Sequence, residues 1–308
     1  MLYSCIFVWI HFYTSAYNEP KMLGIILALV SAAISAFSVI LVRRNSDQSN
    51  AFNVSLIVTC VGMIFLWPLA SLTSTGTISI ESLFFFALSG ILSPGMVRLF
   101  YYRGLKTLGA SINSLVFSIY PLFSALLAVA LLSESPSLGN WLGMLIILLG
   151  IISVEFTMTT NNVKSSIGKK SLVFPILGGV TLGVGSVVRK FALNLYNGPV
   201  LGVTVAYVTS LLPYILILLL SVQTRKQISF KRDLRFFWMA GIGQVVAWIL
   251  AFYSLSYETV SIATPLLSLE PLFVVLFAFL YLRKVERLSK RLFASILLTM
   301  FGVVLVSL

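Results

Sequence analysis

The stretch from Leu105 to Leu132 occurs twice in this chain, the second time from Leu255 to Leu282. About a third of its residues recur, against roughly a tenth expected between two stretches of this apolar composition. The shared set includes Ser111 and Ser261, Ile112 and Ile262, Ser118 and Ser268, and Pro121-Leu122-Phe123 against Pro271-Leu272-Phe273. A small slip in register then brings Glu134 onto Glu286, Ser137 onto Ser289 and Gly150 onto Gly302. Both copies are hydrophobic and long enough to cross a bilayer. Internal duplication in such a chain is the architecture of many secondary transporters.

Hydrophobic residues make up 59% of the 308 and charged residues 10%. A soluble domain has about 45–50% and about 25%, so the chain reads as an integral membrane protein, with the cell membrane as the expected location. The net charge of +12 does not point to nucleic acid. Its Lys and Arg residues are spread through short loops between apolar runs, as membrane proteins mark their cytoplasmic side. Cys5 and Cys60 form no spaced framework, and His11 is the only histidine. No disulfide, metal or other cofactor is indicated.

A helical span needs about 20 mostly apolar residues. Ten runs qualify, at 22–42, 52–72, 82–102, 110–132, 138–157, 171–191, 199–221, 234–256, 259–282 and 289–308. The expectation is an all-α polytopic membrane protein. Residues 22–157 form one five-helix repeat, 158–170 a polar linker and 171–308 a second repeat, with residues 1–21 an extension or an extra span ahead of them. Five is odd, so the two repeats sit in the membrane with opposite orientation. Folds of that kind place their substrate near the bilayer midplane, between the halves.

The segment from Tyr101-Tyr102-Arg103-Gly104-Leu105 leads into Pro121-Leu122-Phe123, Glu134, Gly143 and Gly150. Its second copy runs from Phe252-Tyr253-Ser254-Leu255 through Glu270-Pro271-Leu272-Phe273 and Glu286 to Gly302. This order resembles the EamA-type half of the drug/metabolite transporter superfamily, and it does so in both halves. The resemblance implies a ten-helix carrier of small metabolites, often an exporter, with no enzymatic activity. Two features depart from the pattern. The loop Ser71–Thr77 carries no basic residue, and Ser295 stands opposite Gly143.

Polar residues within apolar spans mark the candidate site, because each costs a few kcal/mol unless it faces protein or water. Glu270 lies mid-span beside Pro271, which frees a carbonyl one turn earlier. Its repeat partner is Tyr120. Arg98 is a midspan cation, and Trp248 is its repeat partner, with Gln244 one turn before. With Tyr102 and Asn113 these make a candidate substrate cavity of Arg98, Tyr102, Asn113, Tyr120, Gln244, Trp248 and Glu270. In it Arg98 offers a planar fork to a carboxylate or phosphate, while Glu270 meets an amine or carries a coupling proton. Three readings of Glu270 stand side by side: this functional one, a structural partner for Arg98 that locks the helices, and an acid facing lipid-headgroup water. Arg98 itself has the alternative of snorkelling towards the end of its span. Glu134 and Glu286 are expected to cap the spans that follow them, and Arg189-Lys190 to end the sixth span, with substrate binding as the alternative for that pair. The glycines Gly178, Gly179, Gly183 and Gly185 suit close helix packing, or a helix that bends.

The partners so implied are a small-molecule substrate and the lipid bilayer; an amino-acid-like substrate is favoured. A sugar-phosphate or nucleotide-sugar exchanger would need several cations in the cavity, and Arg98 is the one that stands out. A membrane-embedded enzyme would need a nucleophile–base pair or a metal set. A scaffold would need a segment outside the membrane to report a signal. Basic residues assign the orientation. Lys21, Arg189 and Lys190 fall to loops on the N-terminal side of the spans, and every other Lys and Arg except Arg98 falls to the opposite side. The opposite side is therefore cytoplasmic, and Leu308 faces outward.

Overall fold

The structure is a computed structural model that describes residues 19–45, 49–73, 78–108, 113, 116–117, 119–159, 172–281 and 290–308. Ser118, Glu286, the basic loop around it and nearly all of the 158–170 linker lie outside the described residues. So does the extension up to residue 18.

The apolar runs fold as helices because in lipid a chain must satisfy its own backbone groups. They are α1 (Glu19–Arg44), α2 (Ala51–Thr73), α3 (Ile80–Gly90), α4 (Val97–Leu108), α5 (Tyr120–Leu132), α6 (Leu138–Thr159) and α7 (Val173–Leu195). After these come α8 (Pro199–Thr209), α9 (Leu211–Leu220), α10 (Val222–Lys226), α11 (Phe230–Tyr257), α12 (Val260–Leu267), α13 (Glu270–Tyr281) and α14 (Lys290–Ser307). Among the described residues six stretches are long and apolar enough to cross a membrane: Pro20–Val42, Ala51–Thr73, Ile80–Gly104, Val173–Leu195, Pro199–Leu220 and Phe230–Tyr257. Shorter apolar helices cover Tyr120–Leu132, Leu138–Ser153, Val260–Val274 and Ala294–Ser307.

Breaks interrupt the helices, and two of them shape the cavity. The first, beside Glu270, agrees with the sequence expectation: α12 ends at Leu267 and α13 opens on Glu270-Pro271. Proline fits the first turn of a helix, where its missing N–H costs nothing. Tyr120-Pro121 opens α5 in the same way. The second break was not expected. The third span does not run as one helix over 82–102; a π-helical stretch, Ile91–Met96, separates α3 from α4, and Ser93 leaves helical geometry (φ −146°, ψ 112°). Pro94 follows it, and the residue before a proline is pushed out of the α region.

Helix packing exchanges the two halves of the chain. One set of packed helices joins α1 to α11, α13 and α12, and α2 to α11. A mirrored set joins α7 to α3, α4 and α5, and α8 to α3. Each four-span bundle thus takes two spans from either repeat. For brevity the α1/α2/α11/α12–α13 group is the first bundle and the α3–α4/α5/α7/α8–α9 group the second. Outside both, α6 packs along α14. Their backbones nearly touch there, since a Cβ on Gly302 would lie 2.8 Å from both the Gly143 carbonyl and the Ile147 nitrogen. Small residues allow such approach between membrane helices. The crowded glycines of α7 belong to a helix that is unbroken in this structure and lie close to their neighbours: a Cβ on Gly185 would meet Ser93 at 2.9 Å.

Candidate functional site

Between the two bundles lies a cavity of about 140 Å³. All the residues singled out from sequence except Asn113 line it: Arg98, Tyr102, Tyr120, Gln244, Trp248 and Glu270. Asn113 sits elsewhere, buried, donating to the Tyr101 carbonyl at 3.2 Å. The lining adds Ser31, Ser35, Ser186 and Arg189.

Glu270 belongs to the first bundle and is held by a relay across it. Gln244 Nε2 donates to Ser35 Oγ at 3.0 Å, and Ser35 Oγ donates to Glu270 Oε2 at 2.5 Å. The relay joins α11, α1 and α13, and it offsets part of the cost of a carboxylate at this depth. Arg98 is not its partner. Arg98 Nη1 donates to Thr59 Oγ1 at 2.7 Å and Nη2 to Tyr207 Oη at 2.6 Å, and its guanidinium lies 4.8 Å from the centre of the Tyr207 ring. The fork expected to face a substrate also bonds protein hydroxyls from α2 and α8. Arg98 is 5% exposed, so it does not snorkel.

Arg189 corrects the sequence reading most. It was expected to end the sixth span, yet α7 continues to Leu195 and Arg189 is 2% exposed within it. Its guanidinium lies 4.5 Å from the Trp248 ring centre and 4.6 Å from that of Phe252. Nη2 reaches the carbonyl and hydroxyl oxygens of Ser93 at 3.3 and 3.4 Å. The unexpected break in α3–α4 therefore exposes the carbonyl that Arg189 approaches. The signal available in sequence was spacing: Leu182, Ser186 and Arg189 share one helical face, and all three line the cavity.

Past Trp248 the cavity is shut. Phe252, Leu255, Val260 and Ala263 have no exposed surface, and Val187 packs with them. Two polar ties join the bundles at this end. Lys190 Nζ donates to the carbonyls of Leu255 and Glu258 at 2.8 and 2.9 Å. Glu134 accepts from the Val260 and Ser261 amides at 2.8 and 3.0 Å and from the Ser261 hydroxyl at 2.6 Å. Glu134 is thus a helix cap, but of α12 in the other repeat rather than of the span that follows it. Ser133, in the left-handed region (φ 55°), ends α5 just before it. The following helix, α6, has its own cap, with Ser137 and Asn140 bonded to each other.

The comparisons with known proteins agree with this fold. The model of the EamA-like transporter family matches residues 22–156 and again 169–308. The chain belongs to that family, within the drug/metabolite transporter superfamily, and is an integral, multi-pass membrane protein. A solved crystal structure aligns with 94% of this chain and 99% of its own, at a TM-score of 0.74 and 14% identity, a likeness of fold. No curated protein matches.

Proposed function

We propose that the chain is an alternating-access carrier, exporting a small polar or amphipathic metabolite that resembles an amino acid. Ten membrane crossings arranged as two inverted five-span repeats form its frame, the short apolar helices completing their spans through the breaks at Tyr120 and Glu270. One observation carries the reading: the cavity lies between two mixed bundles, with an acid on one facing wall and two guanidiniums on the other. Glu270 stands on the first bundle, and Arg98 and Arg189 stand on the second. Substrate lies against Tyr102, Tyr120, Gln244 and Trp248, with an amine or a coupling proton at Glu270. Opening the closed end separates the bundles and breaks the Lys190 and Glu134 ties.

A second reading has one observation in its favour. Arg189 adds a second cation, which suits a sugar phosphate. The small cavity favours small solutes over nucleotide sugars, since sites for larger ligands measure about 300–1,000 Å³. A thermal-shift screen of the purified protein against amino acids, nucleosides, sugar phosphates and polyamines tests the reading, because a ligand bound only by the folded form raises its stability. Stabilisation by amino acids is expected. Stabilisation by sugar phosphates alone would transfer the proposal to the second reading.

A further inference from the structure

Two buried guanidiniums line the cavity, and they are not equivalent. Both outer nitrogens of Arg98 make short bonds, at 2.7 and 2.6 Å. Among the described residues Arg189 makes only the 3.3 and 3.4 Å approaches to Ser93, beyond the usual 2.9–3.0 Å of a good N–H···O bond. Its Nε is buried and has no hydrogen-bond partner among the described residues. An unpaired polar group in a protein interior is costly, and an unpaired cation more so. Neither arginine is ion-paired with an acid among the described residues, where the pair found is Arg232–Asp233, away from the cavity. Trp248 and Phe252 hold the Arg189 plane but supply no hydrogen-bond acceptor there.

We propose that Arg189, not Arg98, is the anion-binding residue of the cavity, and that the substrate presents a carboxylate to it. A carboxylate accepts two parallel N–H bonds from a guanidinium, which is the pairing Arg189 lacks. Arg98 is then a positioning residue that ties α4 to α2 and α8. With Glu270 on the facing wall, a molecule bearing both a carboxylate and an amine spans the two bundles. The inference rests on the carrier reading and adds the residue and the end of the substrate it holds. It also gives the π-helical break a role: the break aims a carbonyl at Arg189 and orients its guanidinium.

The test uses matched probes on the full-length protein in detergent micelles. These are L-phenylalanine and L-leucine, their amides, which lack the carboxylate, and the corresponding amines; glycerol 3-phosphate is included as a phosphate anion. Affinities are read from ligand-induced thermal shifts of the wild type, Arg189→Gln and Arg189→Lys, each first shown to melt cooperatively. The wild type should bind the acids at least tenfold more tightly than the amides. Arg189→Gln should abolish that preference while leaving amide binding within a factor of about three, and Arg189→Lys should keep part of it. A full acid preference in Arg189→Gln would overturn the assignment. So would equal binding of acids and amides by the wild type, which leaves the carrier reading standing. Tight binding of glycerol 3-phosphate alone would keep Arg189 as an anion site but overturn the carboxylate. Binding of none of the probes would overturn the amino-acid-like reading and this inference together.

Discussion

Arg98 is anchored by a hydroxyl on each side, and its neighbours define what its replacement costs. Each hydrogen bond to a charged group contributes about 1.5–3 kcal/mol. Arg98→Ala, which loses both, should therefore lower unfolding stability by about 3 kcal/mol or more. Arg98→Lys has a single ammonium in place of the planar fork and should recover no more than about half of that, as read by melting in detergent. Glu258 gives a pH test at the closed end. It is 3% exposed with Oε1 unpartnered, and burial pushes its carboxyl up to about 7, against the opposing pull of Lys21, the Thr259 amide and Lys190. Glu134 is the other acid near Lys190. Because the folded form holds the proton more tightly than the unfolded one, the stabilising contribution is complete below the ordinary value of 4.5 and is lost as pH rises to about 7. Melting temperature should fall over that window, and Glu258→Gln should flatten the fall; an unchanged slope in the variant would place the titration elsewhere. At this scale, sequence revealed the residues that break an apolar run. Glu270, Arg98 and Gln244 stand out because nothing else explains them in oil, and Trp248 because it holds the place of Arg98 in the second repeat. Arg189 did not, because Lys190 beside it makes the pair look like loop punctuation. Neighbours on a helix point about 100° apart, so one enters the cavity while the other bonds the end of α11.

Among the elements, the α6–α14 pair has the simplest mechanical logic. Gly302 and Gly143 let the two backbones meet, and a side chain at either must push them apart. Gly302→Val should cost about 1–3 kcal/mol, the usual range for overpacking, with a matching fall in melting temperature. Stability equal to wild type would mean that the two helices separate without penalty. The helix pattern was legible because lipid demands long apolar runs. The break at Glu270 was also legible, since Pro271 marks it. The π-helical stretch Ile91–Met96 carried the same kind of mark in Pro94, but the run around it is apolar enough to read as one span. The target of Glu134 could not be read at all: sequence shows that an acid sits at a helix end, but not that the helix it caps belongs to the other repeat.

For the whole molecule, the exchange of spans between bundles turns a duplicated sequence into two facing walls. The repeat itself was plain in the sequence, but which spans pair across it is a matter of packing that no local pattern encodes. The orientation proposed from basic residues becomes more one-sided once Arg189 moves from a loop into the cavity, leaving Lys21 and Lys190 on the N-terminal side. A green-fluorescent fusion at Leu308 should be dark in the cytoplasm, and a bright one would reverse the assignment. The central claim is that substrate crosses through the cavity between the bundles under the control of Glu270. Its most direct test is flux of a screened amino-acid ligand in proteoliposomes, comparing wild type with Glu270→Gln at equal reconstitution. Uptake by the wild type and its abolition or uncoupling in a variant that still melts cooperatively is the predicted result. Full transport by Glu270→Gln, with only its melting temperature lowered, would make the acid a structural partner and contradict the account.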